Sequence, residues 1–477
     1  MSTQGEQAKS VVPEAEYSAD VKLPAGRRLL FSFNDLGATF SAFFVSAFLI
    51  PFFTNVVLIP MAAISLMVLI TRIFDAVTDP VVGAMLDKSN RKNRYQPWVL
   101  SGSILMIATV VILYFNNPTW SETTRIVYLW VFYILWTVFM TIRNMSFNAL
   151  SGVTTTNGME RAKLSSFRGM MTGLGAAAPG VLAVPMIMFF SMGDGMDRRG
   201  YIVTMLIFSA IALPLVIASP LALPERAKKP VGQKISVKEQ IVSLVKNPPM
   251  RYCIVGAFMF GLLIFGRVNF IFHFTQYNLG NAAWFSILSF VNIVASLVGA
   301  ACVPYLFKWL KNKGHVCSLG LLVAGAGSLA AFFFHGGSIV LTSIFFTFVC
   351  FGATIFSAMD MAIIGDSSDY AELNYGVRVD GFFSASFSMS QKIGAAISPA
   401  VGAAMLATAG FISGAETQTA EVMQIISFNV WAFPAIFCFV SGVIFLFYKL
   451  DDAKHKEIVA QLEERRRVRA MSENAPS

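Results

Sequence analysis

Apolar residues run through this chain in twelve long stretches separated by polar breaks. They lie at 29–57, 61–86, 97–115, 124–150, 166–191, 200–222, 252–276, 282–307, 316–335, 339–364, 381–409 and 423–448. A helix needs about 20 mostly apolar residues to cross a bilayer, so each stretch predicts one spanning helix. The longest break, 223–251, contains PERAKKPVGQKISVKEQ and divides six spans from six. The expected architecture is therefore an all-α membrane protein of twelve transmembrane helices. A polar segment 1–28 precedes a first half at 29–222; a loop at 223–251, a second half at 252–448 and a tail at 449–477 follow. The two halves echo one another. A basic loop, GAMLDKSNRKNR, follows the second span, and another, KWLKNKGH, follows the eighth. A repeat of this kind is the usual construction of a transporter with a central site.

Charge orients the spans. With both termini and every even-numbered loop on one side, that side holds 28 of the 36 Lys and Arg residues. The odd loops hold Arg125, Arg198 and Arg199. The positive-inside rule then places both termini in the cytoplasm and the chain in a cell inner membrane. The segment before Arg28 lacks the short apolar core of a signal peptide. For the tail KHKEIVAQLEERRRVRA two readings are open, an amphipathic helix on anionic lipid headgroups and, preferred, a solvated basic tail that enforces topology.

Composition agrees, with 56% hydrophobic and only 13% charged residues, against about 25% charged in soluble domains. The net charge of +9 does not imply a nucleic-acid partner, because the basic residues fall in short clusters between apolar spans. The five cysteines form no CxxC and the four histidines are scattered, so no metal centre and no cofactor are expected. No Walker motif and no nucleophile–base set is present, which argues against an ATP-driven pump and against an enzyme.

Charged residues inside spans carry the candidate chemistry, since each costs about 2.5–3.5 kcal/mol at the bilayer centre. In the second span, TRIFDAVTDPVVG places Arg72, Asp75 and Asp79 on one helix face. Pro80 leaves the Ala76 carbonyl without its helical donor. That oxygen, Thr78 and the two carboxylates are hard ligands of the kind that hold Na+ or a proton. The alternative is an Arg–Asp pair that only staples helices. The first span carries Asp35. The fourth carries a polar stripe, Thr137, Thr141, Asn144 and Asn148, suited to hydroxyl recognition or to gluing helices together. Arg143 adjoins the stripe, with its side chain expected about 100° from Asn144. The second half adds Arg267, Asp360 and Lys392. Lys392 is too deep to snorkel and is expected to meet an acid of the first or second span.

Two blocks carry a family resemblance. RIFDAVTDPVVGAMLDKSNRKNRYQPWVL and GDSSDYAELNYGVRVDGFFSASFSMSQKIGAAISP resemble the glycoside–pentoside–hexuronide:cation symporters of the major facilitator superfamily. The superfamily's loop pattern is matched by Gly83, Asp87, Lys88, Arg91 and Lys92, and the family's loop 10 by Asp366, Asp369, Tyr370 and Glu372. The resemblance implies two six-helix bundles around a central site, and uptake of a sugar, glycoside or sugar acid together with H+ or Na+. It implies that Asp75, Asp79 and Thr141 hold the cation, that Asp35 and Arg168 contact sugar, and that Lys392 lies near the cation site. Asn144, Asn148, Arg143, Arg267 and Asp360 complete the candidate solute site. Arg72, Gly83, Asp87, Arg91, Asp366 and Asp369 are candidate structural or gating residues. The family's galactoside carriers have an aspartate at the position of Asn144, and a tryptophan near Asn148 is also absent here. With Arg143, Arg168, Arg267 and Lys392 present, the expected solute is a sugar acid ahead of a neutral disaccharide. The alternative is that Arg72, Arg143 and Arg267 are consumed by internal acids such as Asp75 and Asp360. The expected partners are solute, cation and lipid, and the expected acting unit a monomer.

Overall fold

A computed structural model describes residues 23–88, 95–154, 158–193, 195–223, 237–376 and 380–473. Within α2 the positions of Arg72, Asp75, Asp79, Gly83 and Asp87, together with Arg91 in the loop beyond, lie outside the described side chains.

The described residues are helices joined by short connections, the solution that lets a chain satisfy its backbone polar groups in hydrocarbon. The first half comprises α1 (Ala25–Pro51), α2 (Met61–Lys88), α3 (Gln96–Tyr114), α4 (Glu122–Val153), α5 (Gly158–Phe190) and α6 (Arg198–Ala222). A short α7 (Val237–Lys246) lies in the central connection. The second half comprises α8 (Pro248–His273), α9 (Trp284–Leu310), α10 (Lys313–Phe334), α11 (Ile339–Tyr375) and α12 (Asp380–Thr408), then α13 (Ala420–Ser427) and α14 (Phe433–Leu446) as one interrupted span, and finally α15 (Asp452–Glu473). Ten described helices are long and apolar enough to cross a membrane; α2 and α12 are the two further long helices of the halves. Local chemistry sets the ends. Asp197 caps α6 through the Gly200 N–H at 2.8 Å, and Asn247 caps α8 through Met250 N–H at 3.0 Å.

Two expectations are corrected. The stretch bearing Asp366, Asp369, Tyr370 and Glu372 is not a loop; α11 continues through it to Tyr375, where Gly376 at φ +67° ends the helix. The tail is not a solvated strand of basic residues. It forms α15 and docks on α11: Ile458 and Leu462 are buried, His455 lies 3.3 Å from Asp366 and 3.2 Å from Asp369, and Arg465 donates to the Leu373 carbonyl at 2.7 Å. Lys313 from α10 completes this cluster, 2.7 Å from Asp366. In the first half Glu160 ties α1 to α5. It accepts the Leu23 N–H at 3.0 Å and pairs with Lys163 at 2.9 Å, and these contacts hold its carboxyl below the usual range.

The halves repeat their packing. Each buries its first helix against its fifth through glycine: α1 meets α5 at Gly175, beside Leu36, and α8 meets α12 at Gly261 and Gly394. A Cβ on Gly175 would lie 2.7 Å from the Leu36 carbonyl oxygen. Gly175→Val is therefore expected to push α1 from α5 and destabilise the protein by about 1–3 kcal/mol, the usual cost of overpacking; an unchanged melting temperature in detergent would contradict this contact.

The first helix of each half ends in a π-helical turn, Phe52–Val56 after α1 and Phe274–Asn278 after α8. These two turns face each other across the halves. Asn55 donates to Gln276 at 3.0 Å and accepts from the Tyr277 hydroxyl at 3.2 Å. Ser413 donates to the Ile59 carbonyl and Ser65 to the Ala400 carbonyl, both at 3.0 Å. Phe48 packs on Phe272 and Phe285 with centroids 5.5 and 5.3 Å apart. These hydrogen bonds between the two halves all lie at the end remote from the termini. The molecule is closed there, whereas Asn148, Met389 and Lys392 are exposed on the half nearer the termini.

Candidate functional site

The site grows from one acid. Asp35 stands midway along α1, one turn from the glycine contact that brings α5 close, and only 5% of it is exposed. Two arginines converge on it. Arg143 of α4 donates from Nη2 to Oδ1 at 2.8 Å, and Arg168 of α5 donates from Nε to Oδ2 at 2.7 Å. A second bond from Arg168 Nη2 to Oδ1 is longer, 3.4 Å. Such partners offset the cost of burying a carboxylate in an apolar bundle.

The rest of each guanidinium is also held. Arg143 donates from Nε to Asn34 Oδ1 and from Nη1 to Asn144 Oδ1, both at 2.7 Å. Arg168 donates from Nη2 to Asn148 Oδ1 at 2.9 Å. Phe147 forms a shelf, with the Arg143 and Arg168 guanidinium carbons 4.9 and 4.5 Å from its ring centroid. Phe31 stacks on Phe147 with centroids 4.6 Å apart. Planar guanidinium suits such a shelf, and the cation–π attraction strengthens where water is excluded. Asn34 is itself fixed, donating to Ser103 at 3.3 Å and to the Val216 carbonyl at 3.4 Å.

Several expectations change here. Arg143 does not point away from the stripe; its long side chain bends back and reaches Asn144. The stripe is not uniform. Thr137 turns its hydroxyl onto the Tyr133 carbonyl of its own helix, Thr141 is buried, and only Asn144 and Asn148 join the arginines. Arg267 and Asp360 do not line this wall. Both are buried in the second half and no ion pair joins them. The Arg267 guanidinium lies 5.3 Å from the Phe346 centroid, and neither Asp360 carboxylate oxygen has a hydrogen-bond partner among the described residues. Pairing between them is therefore not what holds them. Asn34 and Phe147 were missed. Phe147 follows Arg143 by one helical turn, a spacing that permits contact, but nothing in the sequence distinguished it from other core aromatics.

Lys392 cannot draw its partner from the first span, because Asp35 is committed to Arg143 and Arg168. It lies on α12, which packs on α2. Counting from the Ser65–Ala400 bond, Lys392 is eight residues along one helix and Asp75 ten along the antiparallel neighbour, so the two positions share nearly the same depth. Thr78 is half-buried on the same helix. Lys392→Ala is expected to leave folding intact, since the side chain is exposed, while uptake falls at least about tenfold, the effect of losing one charged contact in a site. Normal uptake by that variant would remove Lys392 from the site.

Helices closed at one end around a polar, charge-paired wall are the arrangement a membrane transporter requires. The chain belongs to the MFS/sugar transport protein family, which it matches over residues 30–452, and within it to the glycoside–pentoside–hexuronide:cation symporters. It is similar to the isoprimeverose transporter of Lactiplantibacillus pentosus, 29% identical over 93% of this chain and 92% of that one. It is 25% identical to the glucuronide carrier protein homolog of Escherichia coli, over 92% and 95%. It is 27% identical to the raffinose carrier protein of Pediococcus pentosaceus, over 92% and 71%. Among solved structures, the fold is shared with a bacterial homologue of the human lysosomal transporter Spinster in an inward-facing, unoccupied conformation, at TM-score 0.64 and 14% identity over 89% of this chain and 97% of that one.

Proposed function

We propose that this protein carries a sugar-like solute into the cell with a cation, by alternating access, across an inner membrane with both termini in the cytoplasm. The observation that carries the reading is Asp35, clasped by Arg143 and Arg168 on a wall that is exposed on the terminal side and sealed at the far end. Relatives named for isoprimeverose, glucuronide and raffinose all support a sugar-like cargo. The coupling ion, H+ or Na+, is assigned to Asp75 and Asp79 of α2, with Thr78 and Thr141 as further oxygen donors. Neutralising those acids changes the field acting on Lys392 and, beyond it, the arginine pair, so cation and solute bind in concert. The halves at 29–222 and 252–448 then rock about the site. Asp366 and Asp369 belong to the terminal-side rim. A single chain is the acting unit.

Purified protein in proteoliposomes tests this. An inward Na+ gradient or an inward H+ gradient should concentrate labelled solute above its external level, and collapsing that gradient should release it. Uptake that only equilibrates, with either ion, would establish an uncoupled facilitator instead.

A further inference from the structure

We infer that the groove between α2 and α12 is a binding site for a lipid acyl chain, and that the seated chain holds the two halves together at the end remote from the termini. The site itself goes beyond the transport reading above; its effect on the halves rests on alternating access.

One helix from each half forms the groove, whose volume is about 450 Å³, inside the range of roughly 300–1,000 Å³ in which proteins bind small molecules. Its floor is closed where Ser65 donates to the Ala400 carbonyl at 3.0 Å. Leu66 and Leu69 of α2 and Ile397 and Val401 of α12 stand at its edges, each 38–50% exposed. Ala62 and Ala404 give it width, since a methyl group projects little from a helix. The two polar side chains in the lining have committed hydroxyls: Ser65 bonds Ala400, and Thr408 bonds the Met405 carbonyl at 3.0 Å. A sugar, an ion or an ordered water needs polar partners, so none of them suits this lining.

Helix geometry turns the groove outward. Successive residues turn by about 100°, so Ile397 and Val401 lie about 140° and 180° around α12 from Lys392. No charged residue occurs in Met61–Thr71 or between Ile397 and Thr408. At 1.5 Å per residue the groove runs about 10–16 Å along the two helices, or about half of a 30 Å hydrocarbon core. It begins beside the bond from Ser413 to the Ile59 carbonyl. It therefore lies in the leaflet remote from the termini, where the solvent is hydrocarbon chain. Hydrocarbon supplies no hydrophobic drive between helices, so close packing must supply the attraction. A gap forfeits dispersion contacts on both walls, and a methylene chain laid along it restores them. Because the walls belong to different halves, a chain touching both binds the closed end better than the parted one. A ligand shifts an equilibrium through such a difference in affinity, and parting of the halves in turn sheds the chain.

The test uses the full-length protein in nanodiscs of phosphatidylethanolamine and phosphatidylglycerol, with a trace of phospholipid bearing a diazirine in its acyl chain. After irradiation, labelled residues are mapped by peptide mass spectrometry. Leu297 and Phe290 on α9 are 68% and 57% exposed, more than the groove edges, so lipid that only surrounds the protein labels α9 at least as strongly. A seated chain labels the groove several-fold more than α9; equal or weaker groove labelling overturns the site. Ala404→Phe, at an exposed position where folding should survive, puts a ring into the groove. It should remove the groove label and leave α9 unchanged, and Ala62→Phe should do the same from the other wall. Label that persists in both variants counts against the site. The hold on the halves is read from Asn148→Cys, an exposed position on the terminal side, by its rate of alkylation with a hydrophilic maleimide. Stripping lipid in detergent should slow that reaction about fivefold, the low end of coupling between two sites. Adding Ala404→Phe should restore the rate, the ring standing in for the chain. A rate indifferent to both changes refutes the hold. A dimer in native mass spectra that Ala404→Phe dissociates would overturn the lipid assignment in favour of a second copy of this chain. Absence of ion-driven accumulation would sink the symport reading and leave the groove label in place.

Discussion

Asp35→Ala is expected to abolish transport and to destabilise the protein by about 3–5 kcal/mol, the range found when one partner of a buried ion pair is deleted. The reason is the company Asp35 keeps. Its two oxygens receive three N–H bonds from two arginines, and Arg143 is itself 7% exposed. Without the carboxylate, Arg143 becomes a buried cation against an apolar shelf and Arg168 loses its anchor. Asp35→Asn should be milder in stability because an amide oxygen still accepts, yet equally inactive because the charge balance is gone. Paired melting curves and uptake assays distinguish the two. A Asp35→Ala protein that melts and transports like wild type would mean that the arginines are satisfied elsewhere.

The second large effect is on coupling. Asp75→Asn and Asp79→Asn together should reduce accumulation to simple equilibration, while the double variant still reaches the membrane, since removing charge lowers insertion cost. Exchange of solute without net ion movement should persist in part, because the solute wall on α1, α4 and α5 is untouched. Undiminished gradient-driven accumulation in the double variant would move the coupling site away from α2.

The span pattern was legible because bilayer thickness fixes helix length and water-facing loops must be polar. What failed were judgements that needed a third dimension. The Asp366–Glu372 stretch looks like a loop because it is polar, but a helix protruding from the membrane is polar too. The tail looked solvated because its charges dominate, whereas its seating depends on Ile458 and Leu462, two apolar residues four apart. Spacing along one helix could place Arg143 beside the stripe but could not show a side chain long enough to bend back. Asn34 looked like any polar residue in a span until Ser103 and Val216, from two other helices, were seen to hold it.

Among the described residues, the contacts that join the two π-helical turns across the halves are neutral. Asn55, Gln276, Tyr277, Ser413 and Phe48 close this end with neutral hydrogen bonds and ring packing. The opposite rim is dense with ions, Arg28, Glu160 and Lys163 on one half and Lys313, Asp366, Asp369 and His455 on the other. Dissolved salt screens exposed charges over about 10 Å at 0.1 M and leaves neutral contacts nearly untouched. Ionic strength is thus expected to loosen the ion-paired terminal rim, where α15 is docked, far more than the seal at the opposite end.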